Sequence, residues 1–215
     1  MSFALHHCPL CLQSCIEDDR LTFGHRQFYL CDQCHLLSVF TASLPTIQDE
    51  KERYMHHQNT EEDQGYVQFL MQVVEPLMGL SPSGSLGLDY GCGPNPVLAK
   101  VLHKAGYECD YYDPLFYPHL KNKAYDFITA TECFEHFHRP GDEIKNILDH
   151  LKTGGMLAIM TETWTTIDRL AAWYYLRDFT HVSLYHHETM HWLCEEFGLE
   201  MVYSDQLRVY VFRKG

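Results

Sequence analysis

A chain of 215 residues, 46% hydrophobic and 21% charged, has room for one ordinary globular domain and a small appendage, which excludes a disordered or fibrous protein. The formal net charge of −13, with no basic run longer than two residues, excludes DNA and disfavours RNA, because nucleic acid is held largely through Lys and Arg set against phosphates. No apolar run approaches the roughly eighteen residues a bilayer span needs, and the opening Met-Ser-Phe-Ala-Leu-His-His-Cys does not read as a leader, so a cytoplasmic protein without a membrane partner is expected.

Five of the nine cysteines fall in the first 34 residues. Cys8-Pro9-Leu10-Cys11 and Cys31-Asp32-Gln33-Cys34 form two C-x2-C pairs with nineteen residues between them. Two residues between thiolates let each pair reach one ion, and two pairs complete the closed tetrahedral set expected of structural zinc. Clustering of this kind without a secretory signal favours metal over disulfides. The segments Leu21-Thr22-Phe23 and Gln27-Phe28-Tyr29-Leu30 predict a hairpin around Gly24, so residues 1–45 read as a zinc ribbon. Cys15, His6, His7 and His35 are spare ligands nearby; with four cysteines the site has no open position and no catalytic role.

Residues 46–80 read as a helical bridge. No firm pattern marks residues 41–62, but Thr60-Glu61-Glu62-Asp63 has the look of a helix start, and Val67, Leu70, Met71 and Val74 follow on one face. Pro76 is expected to kink or close that helix, and Ser81-Pro82-Ser83-Gly84 predicts a loop. Tyr54, His56, His57, Asn59 and Tyr66 cluster at its entrance, suited either to covering a cofactor or to packing on the ribbon.

Residues 81–215 carry the main domain. Leu86-Gly87-Leu88-Asp89-Tyr90-Gly91-Cys92-Gly93-Pro94-Asn95-Pro96 reads as a buried strand, an acid, a glycine-rich turn and the start of a helix bearing Val97, Leu98, Val101 and Leu102. Glycine at the turn lets backbone approach a ligand closely. Pro96 stands where a dinucleotide fingerprint wants its third glycine, so a dinucleotide is disfavoured. Glu108 to Tyr112 predicts a second strand ending at Asp113, twenty-four residues after Asp89. Tyr125 to Ala130 predicts another, followed by Thr131-Glu132-Cys133-Phe134-Glu135-His136-Phe137, a helix from Pro140, and Leu151-Lys152-Thr153-Gly154-Gly155-Met156-Leu157.

These segments, in this order, resemble the class I S-adenosylmethionine-dependent methyltransferases, and more narrowly short bacterial members with an N-terminal zinc ribbon. The resemblance covers roughly residues 54–215. It implies an α/β, Rossmann-like sheet ending in an antiparallel hairpin, with S-adenosylmethionine as cofactor. Asp89, Gly91, Gly93, Asp113, Glu132 and Tyr66 are then the expected cofactor residues, Asp113 by accepting from the ribose hydroxyls. Two departures stand out. Asn95 replaces the family's usual third glycine, a substitution that tolerates left-handed backbone. Only twelve residues separate Asp113 from Asp126, too few for the usual crossover helix and third strand, so that strand is expected to be missing or vestigial and Phe116 or Tyr117 to stack on the adenine in its place.

Beyond the fifth strand, Glu162, Arg177 and Tyr185 are the expected substrate residues of the covering segment that ends Arg177-Asp178-Phe179-Thr180-His181-Val182-Ser183-Leu184-Tyr185. Methyl transfer needs a positioned nucleophile and, for a protonated one, a base; His181 and His136 are the candidates. His187-Glu188-Thr189-Met190-His191 matches the zinc-protease pattern, but it lies on a helix feeding the expected terminal strands, which disfavours a protease. The function expected is methylation of a small molecule or a protein. The alternatives are a binding module that has lost catalysis and a zinc-ribbon RNA methyltransferase.

Overall fold

The computed structural model describes residues 6–56 and 59–215, with residues 16–20 described by their backbone alone; His57 lies outside the described residues. Strands β1 (Ile16–Phe23) and β2 (Arg26–Leu30) form the expected antiparallel hairpin around Gly24, and β3 (Leu37–Val39) pairs on the far side of β2. Leu21, Phe28, Leu37 and Val39 share a buried face with Trp164, Leu170, Tyr175, Val182 and Leu184 from far along the chain. A sheet this small cannot exclude water alone and borrows its cover from the main domain.

Helix α1 (Ile47–Met55) occupies part of the stretch where no periodicity pointed to one. Its sequence is almost wholly polar, and it is started by a capping box: the Asp49 amide donates to the Thr46 hydroxyl at 3.2 Å and the Thr46 amide to the Asp49 carboxylate at 3.1 Å. Helix α2 (Gln64–Leu80) begins later than expected, with Asp63 rather than Thr60 accepting from the Tyr66 amide. Pro76 does not close it. Leu77, one residue on, is buried with Leu70, Val73 and Val74, and that packing carries the helix past the hydrogen bond Pro76 cannot donate.

The main domain follows as β4 (Leu86–Tyr90), α3 (Val97–Lys104), β5 (Glu108–Tyr112), β6 (Tyr125–Thr131), α4 (Pro140–Asp149), β7 (Leu151–Met160), the short α5 (Ile167–Leu170), β8 (Ser183–Leu184), α6 (His187–Phe197), β9 (Leu199–Ser204) and β10 (Val209–Lys214). Its six-stranded sheet runs β5-β4-β6-β7-β10-β9. The first four strands are parallel, and β10 and β9 close the edge as an antiparallel pair. The third strand of the family pattern is missing, as the twelve-residue interval requires. In its place Asp113 and Tyr117 close a tight turn through reciprocal main-chain bonds of 2.8 and 3.2 Å.

Alternating residues of the sheet serve two faces. Phe127, Met156, Ala158 and Val211 meet α2 and α3 through Val73, Leu77, Val101 and Leu102. On the opposite face Ile128, Leu157, Ile159 and Phe212 meet α4 and α6 through Ile144, Ile147, Met190 and Leu193, and Cys8, Cys31, Cys34 and Leu36 belong to the same buried cluster. The ribbon is joined to the domain in two further ways. Strand β8 completes its sheet, with Leu37 opposite Leu184. Its first knuckle lies on the start of α4 so closely that a Cβ at Gly141 would sit 2.6 Å from the Leu10 carbonyl oxygen. Among the described residues no helix is long and apolar enough to cross a membrane.

Candidate active site

Strand β4 delivers Asp89 and then turns at Gly91, whose φ of +78° is costly for any residue with a side chain. Space forbids one as well, because a Cβ there would lie 2.6 Å from Cys133 Cβ. The amides of Gly91 and Cys92 donate to the Tyr112 carbonyl at 2.8 and 3.1 Å, tying the turn to the end of β5. Asp113, next in the chain, accepts from the Gly93 amide at 2.9 Å through Oδ2 and from the Leu115 and Phe116 amides at 2.8 and 3.1 Å through Oδ1. A carboxylate oxygen accepts twice, so Oδ2 retains one position for a ligand hydroxyl. Burial raises the Asp113 carboxyl above its ordinary pKa. Burial also pushes Asp89 up to about 7, opposed by the Thr129 hydroxyl that donates to it at 3.4 Å.

These residues form one wall of a cleft of about 600 Å³, within the usual range for small-molecule sites. All six expected cofactor residues line it: Asp89, Gly91, Gly93, Asp113, Glu132 and Tyr66. So do both candidate bases, His136 and His181. The bridge forms the opposite side through Ile47, Glu50, Tyr54, Asn59 and Phe69. Asn95 does not use the left-handed backbone expected of it; its side chain donates to the Asn59 carbonyl at 3.3 Å, joining the turn to the bridge. Neither Phe116 nor Tyr117 reaches the wall, where Pro114 and Leu115 stand instead. The Tyr117 hydroxyl donates to the Pro94 carbonyl at 3.1 Å, which turns the ring toward Tyr111.

The other end of the cleft is assembled from β6, β7 and the covering segment. Glu132 takes a φ of +48° and its amide donates to the Met160 carbonyl at 2.7 Å. Glu135 is fully buried and accepts from the Tyr175 hydroxyl in a very short contact and from the Thr161 hydroxyl at 2.8 Å. The same Tyr175 hydroxyl lies 3.3 Å from Glu132 Oε2, while Glu132 Oε1 is buried with no partner. Desolvation and the neighbouring Glu135 charge push Glu132 up to about 9. His136 Nδ1 donates to the Thr180 carbonyl at 3.0 Å and His181 Nδ1 to the Tyr175 carbonyl at 2.7 Å, the two rings lying 4.9 Å apart. Each neutral ring therefore carries its lone pair on Nε2. Burial lowers His181 to about 4. Tyr54 of α1 sets its ring edge against His136 at 5.1 Å, and Arg53 pairs with Asp178 at 2.7 Å.

The three expected substrate residues lie away from this wall, each for a physical reason. The Glu162 carboxylate is engaged by Trp173 Nε1 and Arg208, both at 2.6 Å, and by the Tyr174 hydroxyl. Tyr185 is fully buried and donates to the Phe134 carbonyl at 3.3 Å. Arg177 points to solvent on an exposed turn. Sequence reasoning gave no role to Glu135, Tyr175 and Asp178; Glu135 stood beside His136 and Asp178 stood in the stretch from Arg177 to Val182, while Tyr175 carried no signal. His187 and His191 approach each other to 3.0 Å on α6, outside the cleft, and Glu188 between them is exposed.

At the ribbon, the sulfurs of Cys8, Cys11, Cys31 and Cys34 lie within 4.8 Å of one another, with Cys8 and Cys34 at 3.5 Å and Cys11 and Cys31 at 3.3 Å. Four thiolates around one zinc at about 2.3 Å are spaced by about 3.8 Å, so the donor set fits a closed tetrahedral ion.

A profile of the methyltransferase domain matches residues 54–204. The chain belongs to that family. It is a class I S-adenosylmethionine-dependent methyltransferase, and S-adenosylmethionine is its cofactor. The fold agrees. A 1,6-didemethyltoxoflavin-N1-methyltransferase from Burkholderia thailandensis, solved with 1,6-didemethyltoxoflavin and S-adenosylhomocysteine, is 14% identical over 89% of this chain and 96% of that one, with a TM-score of 0.57. An O-methyltransferase family protein from the same organism is 15% identical with a TM-score of 0.54; the match covers 81% of this methyltransferase but only 65% of that chain. No curated protein matches the sequence.

Proposed function

We propose that this methyltransferase acts on a small molecule held between the cofactor turn and the His136–His181 pair. The observation that carries the reading is the convergence of all six cofactor residues and both imidazoles on one cleft of about 600 Å³. The cofactor's sulfonium would rest near Asp89 and Gly91, with a ribose hydroxyl donating to the remaining position on Asp113. In-line transfer then needs an acceptor on the far side of the methyl group, which is the end lined by His136 and His181. Each imidazole keeps an Nε2 lone pair able to take the acceptor's proton.

Three features support a small acceptor over a macromolecule. The bridge from Ile47 to Phe69 roofs the cleft. Its lining carries Glu50, Asp89, Asp113, Glu132, Glu135, Glu143 and Asp178, a set hostile to phosphate backbones. A protein chain would have to enter beneath α1, whose Arg53 is paired to Asp178 of the covering segment. The division into ribbon (1–45), bridge (46–80) and methyltransferase domain (81–215) is one of role: a zinc in the ribbon fixes the start of the bridge, and the bridge roofs the cofactor. A thiolate-held metal also suits the reducing cytoplasm.

The test is incubation with methyl-labelled cofactor and a cell extract separated into metabolite, protein and RNA fractions. Label transferred to the metabolite fraction is expected. Label confined to the protein or RNA fraction overturns the small-molecule reading, and cofactor binding without transfer to any fraction favours a binding module.

A further inference from the structure

We propose that Glu135, His136 and His181 bind one divalent cation of the zinc, cobalt or manganese class, open to the cleft, on which an acceptor hydroxyl is held for methylation. This rests on the small-molecule reading above and narrows it to an oxygen acceptor. In this refinement the two imidazoles hold the cation rather than receive the proton themselves.

One ligand atom from each of the three residues lies within 4.8 Å of the other two. Around an ion with bonds of about 2.1 Å, neighbouring ligand atoms stand about 3.4 Å apart, a gap that side-chain rotation closes. Each residue also has its outer atoms held. The two Nδ1–H groups are fixed on the Thr180 and Tyr175 carbonyls, which leaves Nε2 of each ring as the donor. The Glu135 oxygens are each held by one hydroxyl, from Tyr175 and Thr161, and each retains a lone pair. Packing of His181 against Tyr175 and of His136 against Tyr54 accounts for the ring contacts, but not for the gathering of one carboxylate and two imidazoles at one point.

A second, independent observation is the buried Glu132 Oε1, which has no partner. It belongs to a carboxylate that shares the Tyr175 hydroxyl with Glu135, so two acids are buried side by side. A cation at Glu135 offsets the cost of burying its carboxylate beside a second acid. Arg208 on that side is engaged with Glu162 at 2.6 Å. Two nitrogens and one carboxylate make a donor set for borderline ions and, unlike the four-cysteine site, leave coordination positions free. There the acceptor hydroxyl displaces the ion's hydroxide, its proton leaving as water. The acceptor oxygen then bonds to the methyl carbon as the S–CH3 bond breaks, and the cofactor departs as a neutral thioether.

The test is titration of the intact protein, isolated with its ribbon metal, with Co2+ followed by visible absorption and metal analysis. One further equivalent is expected, with weak ligand-field bands and without the intense thiolate charge-transfer absorption of a four-cysteine site. His136→Gln and His181→Asn should each lower its affinity at least tenfold while the ribbon metal stays. Two variants are used because His181 is buried and its replacement can unfold the covering segment; S-adenosylhomocysteine calorimetry on each shows whether the cleft is intact. No further equivalent, or equal binding by two variants that still bind S-adenosylhomocysteine, overturns the cation site. Loss of S-adenosylhomocysteine binding by the wild-type protein would sink the underlying reading instead, so the two failures are told apart.

Discussion

In the cofactor half of the cleft four of the six cofactor residues come from one short stretch, Asp89 to Asp113, and there the geometry is set by backbone: a turn at Gly91 and three amides gathered on Asp113. The acceptor half takes Glu132, Glu135 and His136 from the end of β6, Tyr175 and His181 from the covering segment, and Tyr54 from α1. There the geometry is set by side chains holding other side chains. A backbone cradle is hard to alter by parts, whereas a side-chain assembly can be dismantled one partner at a time. Substitutions in the first half should therefore remove cofactor binding, and in the second half should remove transfer alone.

The largest effect is expected at Gly91. Valine there meets both a forbidden φ and Cys133 Cβ at 2.6 Å, so S-adenosylhomocysteine affinity should fall more than about a hundredfold by calorimetry. Asp113→Ala should follow with a fall of about tenfold or more, since it frees the Gly93, Leu115 and Phe116 amides together. Affinity retained in both variants would break the comparison at its firmer end. In the acceptor half, His181→Ala should lower methyl transfer by about 10²- to 10⁴-fold and leave S-adenosylhomocysteine affinity within about twofold, whether the imidazole takes the proton or holds the cation. A parallel loss of binding would mean that the halves are one cooperative unit.

The same contrast governs what the sequence could tell. Motif order from Asp89 to Gly155 announces the sheet, and the twelve residues between Asp113 and Asp126 announce its missing strand, because chain connectivity alone limits both. The cysteine pairs announce the four-cysteine cluster because the spacing within each pair is local. Helix α1 was not legible: seven polar or aromatic residues, Gln48 to Tyr54, fill it, with only Ile47 and Met55 at its ends to mark an apolar face. Asn95 misled because its replacement of glycine suggested a backbone role, while its side chain works across the cleft on Asn59. Glu162 and Tyr185 lie away from the cleft wall for another reason. Polar residues near a substrate segment look available until Arg208, Trp173 and the Phe134 carbonyl are seen to use them.

A smaller effect is expected where the ribbon meets the domain. Gly141→Val drives a side chain into the Leu10 carbonyl at 2.6 Å, and the knuckle must lift from α4. Overpacking of this kind costs on the order of 1–3 kcal/mol, or several degrees in melting temperature. Metal analysis should show the ribbon ion retained, since the cysteines themselves are untouched. Cys31→Ser with Cys34→Ser should release that ion and, because Cys31 and Cys34 lie in the core shared with α4 and α6, lower the melting temperature further.

The smallest effect, and the finest test of the division between halves, is at Arg53. Its ion pair with Asp178, at 2.7 Å, joins the bridge to the covering segment, so it belongs to neither half alone. Arg53 is 36% exposed, and such a pair contributes about 1 kcal/mol or less. If the bridge is a roof held shut, Arg53→Gln should weaken S-adenosylhomocysteine binding by about two- to fivefold, through a faster off-rate, since closure then competes with opening. High salt should weaken the wild-type protein toward the same value by screening the pair, and should leave the variant little changed. A double-mutant cycle with Asp178→Asn isolates the pair from the bonds Asp178 also accepts from Thr180. A coupling near zero, with affinity indifferent to salt, would make the bridge fixed packing rather than a roof. The cofactor half would then stand complete without it.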